Sequence, residues 1–129
     1  LEQLAPEEYD NLSRAGEVYT YTVSLGGSEE VLWLHSSCAA SEALSGSILD
    51  AMELNFSVDG QPVPRNNFVA LQGEFNGQYC HYRLAGLRDW PRGEHLLFTE
   101  VTFRHQIDDG FQLYAAGTHM FEYRVYVDE

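Results

Sequence analysis

Residues 67–85, NFVALQGEFNGQYCHYRLA, contain the strongest evidence in the sequence for the fold of this chain. Asn76-Gly77 at the centre of this stretch is the strongest short-range signal for a β-hairpin, because a two-residue type I′ turn needs positive φ at both central positions. Such a turn also sets the register of the flanking strands, 67–75 and 78–85, since residues equidistant from the turn must face one another. The stretch therefore predicts two strands and their pairing.

This register separates an apolar face of the hairpin from a polar one. The apolar face pairs Val69 with Leu84, Leu71 with Tyr82 and Gly73 with Cys80, whereas the other pairs Ala70 with Arg83, Gln72 with His81 and Glu74 with Tyr79. The alternation and the turn lead independently to the same register, which supports a half-buried hairpin.

The rest of the chain has the pattern of an all-β protein. Runs rich in Val, Tyr, Phe and Thr are separated by Gly26-Gly27, Asp59-Gly60 and Asp109-Gly110, which are turn signals. The predicted further strands are 17–25, 29–36, 52–58, 61–63, 95–104 and 118–127, and residues 40–51 predict one short helix with Leu44, Ile48 and Ala51 on one face.

About seven strands at this spacing predict a two-sheet, immunoglobulin-like β-sandwich with a short crossover helix, and a jelly roll is the alternative. We expect residues 1–129 to form a single domain, with 1–16 as an irregular N-terminal segment, because the length is close to the common domain size.

Charge and composition exclude several classes of protein. The 129 residues carry 20 acids and 7 bases, a net charge of −13, and every base is arginine. The absence of lysine excludes Schiff-base enzymes and the P-loop, and the negative charge argues against nucleic acid as a partner. Residues 1–64 hold eleven acids but only Arg14. No apolar run approaches the roughly 20 residues of a membrane span.

The two cysteines, Cys38 and Cys80, lack the paired spacing of a zinc site or a CxxC redox motif. In an immunoglobulin-like order they fall on neighbouring strands of one sheet, and Gly73 opposite Cys80 leaves room for a sulfur bridge. We therefore predict a disulfide and an oxidising compartment, extracellular, periplasmic or at the cell surface. Two buried free thiols are the alternative.

Four stretches of the chain carry a resemblance. Residues 58–63 (VDGQPV), 77–80 (GQYC), 87–95 (LRDWPRGEH) and 116–123 (AGTHMFEY) resemble immunoglobulin-like β-sandwich domains of uncharacterised secreted bacterial proteins. The resemblance implies an exported module, often joined to other modules or to an upstream lipid anchor, with no catalytic residues to transfer. The Cys–Trp–Cys order of true immunoglobulin domains is missing, because Trp33 precedes Cys38.

Candidate binding residues come from the aromatics and their neighbours: Trp33, Tyr79, His81 and Trp90. If Cys38 points into the core along a regular strand, Trp33 points to solvent and forms a stacking or docking platform with Tyr79 and His81. An irregularity over 35–38 would return Trp33 to the core. Trp90 is either a corner residue that closes one end of the sandwich or a binding residue.

No pattern predicts a catalytic site, a cofactor or a conventional metal site, since there is no G-x-S-x-G elbow and no metal-ligand spacing among the five histidines. Asp59, Asp108 and Asp109 are weak candidates for Ca²⁺, although Asp-Gly also suits tight turns. The leading hypothesis is a non-catalytic extracellular or cell-surface module that binds a protein partner or acts as a spacer. Carbohydrate binding through exposed aromatics is the alternative, and a small hydrolase with no identified site is a third.

Overall fold

A computed structural model describes residues 1, 4–7 and 16–128 of the chain. Most of the predicted irregular segment 1–16 lies outside the described residues. In chain order the elements are β1 Val18–Gly26, β2 Val31–Ala39, α1 Glu42–Ala51, β3 Met52–Val58, β4 Gln61–Val63, a 3₁₀ turn Arg65–Asn67, β5 Val69–Phe75, β6 Gln78–Leu87, β7 Gly93–Phe103, β8 Ile107–Asp108, β9 Leu113–Tyr114 and β10 Gly117–Asp128.

The long strands form two sheets. A large sheet has the order β1-β10-β7-β3-β4, a small sheet has the order β2-β6-β5, and β8 and β9 make a separate small hairpin. β1 runs parallel to β10, and the other neighbours are antiparallel. The second, fifth and sixth strands thus share one sheet and the third, fourth, seventh and last share the other, as in immunoglobulin-like sandwiches. The predicted all-β sandwich is confirmed.

The turns and the helix follow from local sequence. Asn76 and Gly77 have φ of 52° and 78°, as a type I′ turn requires, and the β5–β6 register is the predicted one. The helix begins after Ser41, whose hydroxyl accepts a hydrogen bond from the Leu44 N–H. Ile48 and Ala51 are buried, so the predicted apolar face of α1 is confirmed.

The core lies between the two sheets. The large sheet contributes alternating residues from β1, β7 and β10, including Val23, Leu97, Tyr123 and Val125, each at most 2 % exposed. Parallel pairing of β1 with β10 stacks Tyr21 on Tyr123 at 5.4 Å between ring centroids. This continuous apolar layer is what the small sheet packs on.

Trp33 fills the core from the small sheet. It is 1 % exposed, and its ring makes edge contacts with Phe56 and Phe68 at 5.4 Å. Its indole Nε1 donates a hydrogen bond to Thr99 Oγ1, at 3.1 Å. The exposed-tryptophan hypothesis is therefore wrong, and it fails for a reason other than an irregular strand.

β2 is a regular strand throughout, but its alternate side chains face the opposite sides of the sheet from those predicted. Cys38 lies on the same strand face as the exposed Leu32 and Leu34, and Trp33 lies on the face toward the core. Because successive side chains alternate, Cys38 and Trp33 cannot both point inward. The core takes the larger side chain, and the disulfide lies on the other side of the sheet.

Cys38 and Cys80 form the predicted disulfide. They are direct cross-strand partners on β2 and β6, with Cα atoms 4.0 Å apart, and Gly73 is the partner of Cys80 on β5. A Cβ placed at Gly73 would come within 3.4 Å of the Phe75 ring, so that ring lies over the glycine beside the disulfide.

Candidate functional site

The most unusual surface of the molecule is the side of the small sheet that faces away from the core, which we call the outer face. Its positions are Leu32, Leu34, Ser36 and Cys38 on β2, Gln78, Cys80, Tyr82, Leu84 and Gly86 on β6, and Val69, Leu71, Gly73 and Phe75 on β5. None of these residues is charged. In a chain with 20 acids and 7 bases, a run of uncharged positions across three strands marks this face as distinct.

Large apolar side chains on the outer face are open to solvent. Leu32, Val69, Leu71 and Phe75 are 59, 55, 51 and 48 % exposed, and Leu34 is close to them at 36 %. Phe75 also contacts Tyr82 edge-on, at 5.4 Å between ring centroids. These side chains present an apolar area on the order of 400 Å², the size of patch that on soluble monomers is often an interaction site.

The sequence identified the members of this face but assigned them to the wrong environment. The pairs Val69–Leu84 and Leu71–Tyr82 share a face, as predicted. That face turns to solvent, however, because Trp33 and its neighbours occupy the side toward the large sheet. Apolar alternation alone had indicated burial.

The opposite side of the small sheet is polar at one end and lines a cavity of about 530 Å³, which we call the groove. His35 of β2 lies opposite Arg83 of β6, and His81 of β6 lies opposite Gln72 of β5. Leu49, Met52 and Leu54, from α1 and β3, line the groove as well, and Arg65 of the 3₁₀ turn completes it. The predicted hairpin register already places Gln72, His81 and Arg83 on one face, and the β2–β6 pairing adds His35. The apolar residues from α1 and β3, and Arg65, join them only through tertiary packing.

Burial and charge in the groove act on its histidines. Burial lowers the pKa of His35 to about 4, so this imidazole is neutral at pH 7. The pKa of His81 is also lowered, first by burial and then by the positive charge of Arg83. Arg65 and Arg83 thus give the groove a positive charge even when its histidines are neutral.

The other candidate binding residues do not form a platform. Tyr79 is on the same face of the small sheet as Trp33 but lies opposite Ala39, six residues further along β2 and so about 20 Å from Trp33. Tyr79 and His81 instead line a cavity of about 230 Å³, in which the Glu74 carboxylate raises the pKa of Tyr79.

Trp90 occupies the corner position. It is half-buried and packs against the core, with its ring centroid 6.0 Å from that of His95. Its Nε1 is buried and has no hydrogen-bond partner among the described residues. The ring is therefore partly packed against the core rather than fully open to solvent.

The carboxylates of the three aspartates considered for Ca²⁺ accept hydrogen bonds from the chain itself, within a turn for Asp108 and Asp109 and from β7 for Asp59. Asp109 Oδ1 accepts hydrogen bonds from the N–H groups of Phe111 and Gln112, and Asp59 Oδ1 accepts one from Leu96. Asp108 Oδ1 accepts from the Gly110 N–H. Within residues 16–128, no three His, Cys, Asp or Glu side chains are close enough to hold a metal ion.

Asp59 also forms an ion pair with His95. Asp59 Oδ2 lies 2.8 Å from His95 Nδ1, and the other ring nitrogen, Nε2, lies 2.6 Å from the Pro91 carbonyl. Both partners are acceptors, which favours the imidazolium. The Asp59 carboxylate, followed by the Pro91 carbonyl, accordingly raises the pKa of His95, and the same hydrogen bond lowers the pKa of Asp59.

A third, smaller cavity of about 140 Å³ lies between the sheets, beside α1. It is lined by His35 and by the buried His119 and Asp109. His119 Nε2 lies 3.1 Å from the Ala115 carbonyl, so this nitrogen carries the proton, and Nδ1 has no partner among the described residues. The cavity has room for a few water molecules and is too small for a drug-sized ligand.

No protein-family model matches this chain, and a search of curated proteins finds no relative. The single described helix is too short to cross a membrane. The outer face and the groove, on the two sides of the small sheet, are the candidate binding surfaces of the described residues.

Proposed function

We propose that this chain is a non-catalytic module of an extracellular or cell-surface protein, and that it binds a protein partner through the outer face. The observation that carries the proposal is the uncharged outer face, with Leu32, Val69 and Leu71 each more than half exposed. A monomer gains nothing from such a surface in water, whereas an interface core has this composition. The disulfide supports an oxidising compartment.

Charge indicates what kind of partner fits. The chain carries a net charge of −13, and the exposed Glu29 and Glu30 precede β2 at the margin of the outer face. Two copies brought together on this face would repel one another, while a partner with an apolar centre and a basic rim would be attracted. A stable interface takes about 800 Å² from each partner, so the patch would be the centre and the charged margin the rim.

The carbohydrate alternative loses its main support because Trp33 is in the core. A flat aromatic platform needs an exposed ring, and Trp33 instead joins the two sheets through Thr99. Protein binding is the function that the outer face favours.

A displayed library of random peptides, selected on the disulfide-bonded chain, tests this proposal. We expect selected peptides to be rich in aromatic, aliphatic and basic residues, and to bind Leu32→Ser/Val69→Ser at least tenfold more weakly. Leu113→Ser is the matched control, because Leu113 is 55 % exposed on β9, away from the outer face. Equal binding to all three proteins would refute the proposal. If sedimentation equilibrium shows a dimer, and Leu32→Ser/Val69→Ser dissociates it, the partner is a second copy of this chain rather than a basic protein.

A further inference from the structure

The groove on the inner side of the small sheet has a composition that the rest of the chain does not predict. Five of its lining residues carry side-chain nitrogen donors, and two of the five are positively charged: His35, Gln72, His81, Arg65 and Arg83. Among the described residues no Asp or Glu lines it, although the chain has 20 acids and only 7 arginines. Two of the seven arginines therefore line a cavity whose described lining includes no acidic residue.

Neither arginine is neutralised within the part of the chain that the structure describes. Ion pairs there involve Arg88 with Asp89 and Arg124 with Glu122, and neither Arg65 nor Arg83 takes part in one. Arg83 is half-buried, and Arg65 is exposed. A half-buried guanidinium without a carboxylate is costly unless an anion or water satisfies its five N–H donors.

The register explains why this charge is held in place. Arg83 lies on the central strand β6, between His35 on β2 and Ala70 on β5. Burial keeps the neighbouring His35 neutral at pH 7, so its imidazole offers a hydrogen bond without a competing charge. The small methyl of Ala70 leaves open the space beside Arg83 that a larger side chain would fill.

The other wall of the groove is apolar. Leu49 on α1 and Met52 and Leu54 on β3 face the arginine-bearing wall across the cavity. A volume of about 530 Å³ falls within the range of small-molecule sites. One cationic wall and one apolar wall fit a ligand with an anionic group and a hydrocarbon body.

We propose that the groove binds a small organic monocarboxylate, with its carboxylate on Arg83 and Arg65 and its hydrocarbon part against Leu49, Met52 and Leu54. Guanidinium binds carboxylate through paired, charge-assisted hydrogen bonds, which sets the orientation. Leu71 and Tyr82 of the outer face also line the groove, but Leu32 and Val69, which carry the proposed protein interface, do not. The two proposals therefore rest on different side chains and can fail separately.

Calorimetric titration of the disulfide-bonded chain with octanoate, acetate, inorganic phosphate and 1-octanol tests the site. We expect saturable octanoate binding at millimolar or tighter affinity, and at least tenfold weaker binding of the other three. Acetate and phosphate lack the hydrocarbon part, and octanol lacks the charge. Phosphate binding as tightly as octanoate would show a simple anion site and overturn the proposal.

Substitutions locate the binding within the groove. We expect Arg83→Gln to weaken octanoate binding at least tenfold and Arg83→Lys to weaken it less, because charge is kept while the paired geometry is lost. Leu49→Gln should weaken octanoate but leave acetate unchanged. Arg88→Gln is the control, since Arg88 is a solvent-exposed arginine outside the groove.

If Arg83→Gln does not fold, Arg65→Gln at the exposed position gives the same comparison. Octanoate binding that is unaffected by Arg65→Gln and by every foldable Arg83 variant would refute the site, as would the absence of saturable binding. Leu32→Ser/Val69→Ser should bind octanoate normally, which separates this result from that of the outer face.

Discussion

Trp33 of the small sheet donates a hydrogen bond from Nε1 to Thr99 Oγ1 of the large sheet, at 3.1 Å, and both side chains are at most 2 % exposed. This contact joins the two layers of the sandwich at the centre of the core. It also explains why Trp33, rather than Cys38, points inward, because a buried indole N–H needs an acceptor and Thr99 provides one.

Replacing Thr99 with Val should destabilise the protein by about 1–3 kcal/mol, because the isosteric change leaves the indole N–H buried without a partner. Thr99→Ser keeps the acceptor and loses only a methyl group, so it should cost about 1 kcal/mol. Urea unfolding followed by tryptophan fluorescence measures both. Equal loss in the two variants would show that the hydrogen bond contributes little.

Reduction of the Cys38–Cys80 disulfide should lower the free energy of unfolding by about 4 kcal/mol, because the bridge spans 42 residues and restricts the unfolded chain. The oxidised protein should have a mass about 2 Da below that of the reduced chain. Cys38→Ala/Cys80→Ala should match the reduced protein in stability. Thiol labelling of the unfolded, unreduced chain would contradict the bridge.

Gly110→Ala should destabilise the protein by about 2–4 kcal/mol, since positive φ and overpacking both oppose the added methyl. Gly110 has a φ of 89°, and a Cβ there would collide with the Ala40 Cβ. Gly60→Ala is the control, because Gly60 also has positive φ, 82°, but has open space around it. We expect that variant to lose about 1 kcal/mol. Equal losses would remove the packing argument.

The ion pair between Asp59 and His95 should stabilise the fold most in mildly acidic solution. The raised pKa of His95 means that its contribution is complete below its ordinary value of 6.5 and is lost as pH rises through the folded value. The lowered pKa of Asp59 means that its contribution is complete above 3.8 and is lost as pH falls through the folded value.

The difference in unfolding free energy between wild type and His95→Asn should therefore be greatest between those two ordinary values, 3.8 and 6.5, and should shrink at alkaline pH. Urea unfolding of both proteins across the pH range measures it. A difference that grows with rising pH would contradict the assignment.

His35 should titrate at about pH 4 in the folded protein, well below its ordinary value of 6.5, because burial disfavours its charged form. Its neutral form therefore contributes stability that is present above pH 6.5 and lost as pH falls toward the folded value. Proton NMR of the imidazole Hε1 signals, assigned with His35→Asn, checks this. Titration near 6.5 would show that the groove does not shield His35.

Much of the secondary structure was predictable because it depends on local chemistry. The Asn76-Gly77 turn determines the register of β5 and β6, and Leu44, Ile48 and Ala51 identify the helix. The short strands β8 and β9 were missed, since two-residue strands are below the reach of a periodicity argument. The all-β sandwich was predicted from the number and spacing of the strands, and the Cys38–Cys80 pairing from the placement of the two cysteines on neighbouring strands with Gly73 beside Cys80.

The candidate sites were only partly predictable. His81, singled out for its proximity to aromatic residues, lines one cavity with Tyr79 and also lies with Arg83, Arg65 and His35 in the groove. His81 and Arg83 share a face of β6 by alternation, but His35 comes from β2 and Arg65 from the 3₁₀ turn, so no local pattern connects all four. Their convergence depends on how α1 and β3 pack against the small sheet.

Local sequence establishes which residues share a strand face, because side chains alternate with period two and the turn sets the register. Which of the two faces points inward depends on the packing of the two sheets against each other. Two faces of one sheet compete for the core, and the outcome depends on what the opposing sheet presents. Trp33 packs against Phe56 and donates a hydrogen bond to Thr99 in the core. The apolar face with Leu71 and Tyr82 therefore faces solvent, and Arg83 on the polar face lines the groove.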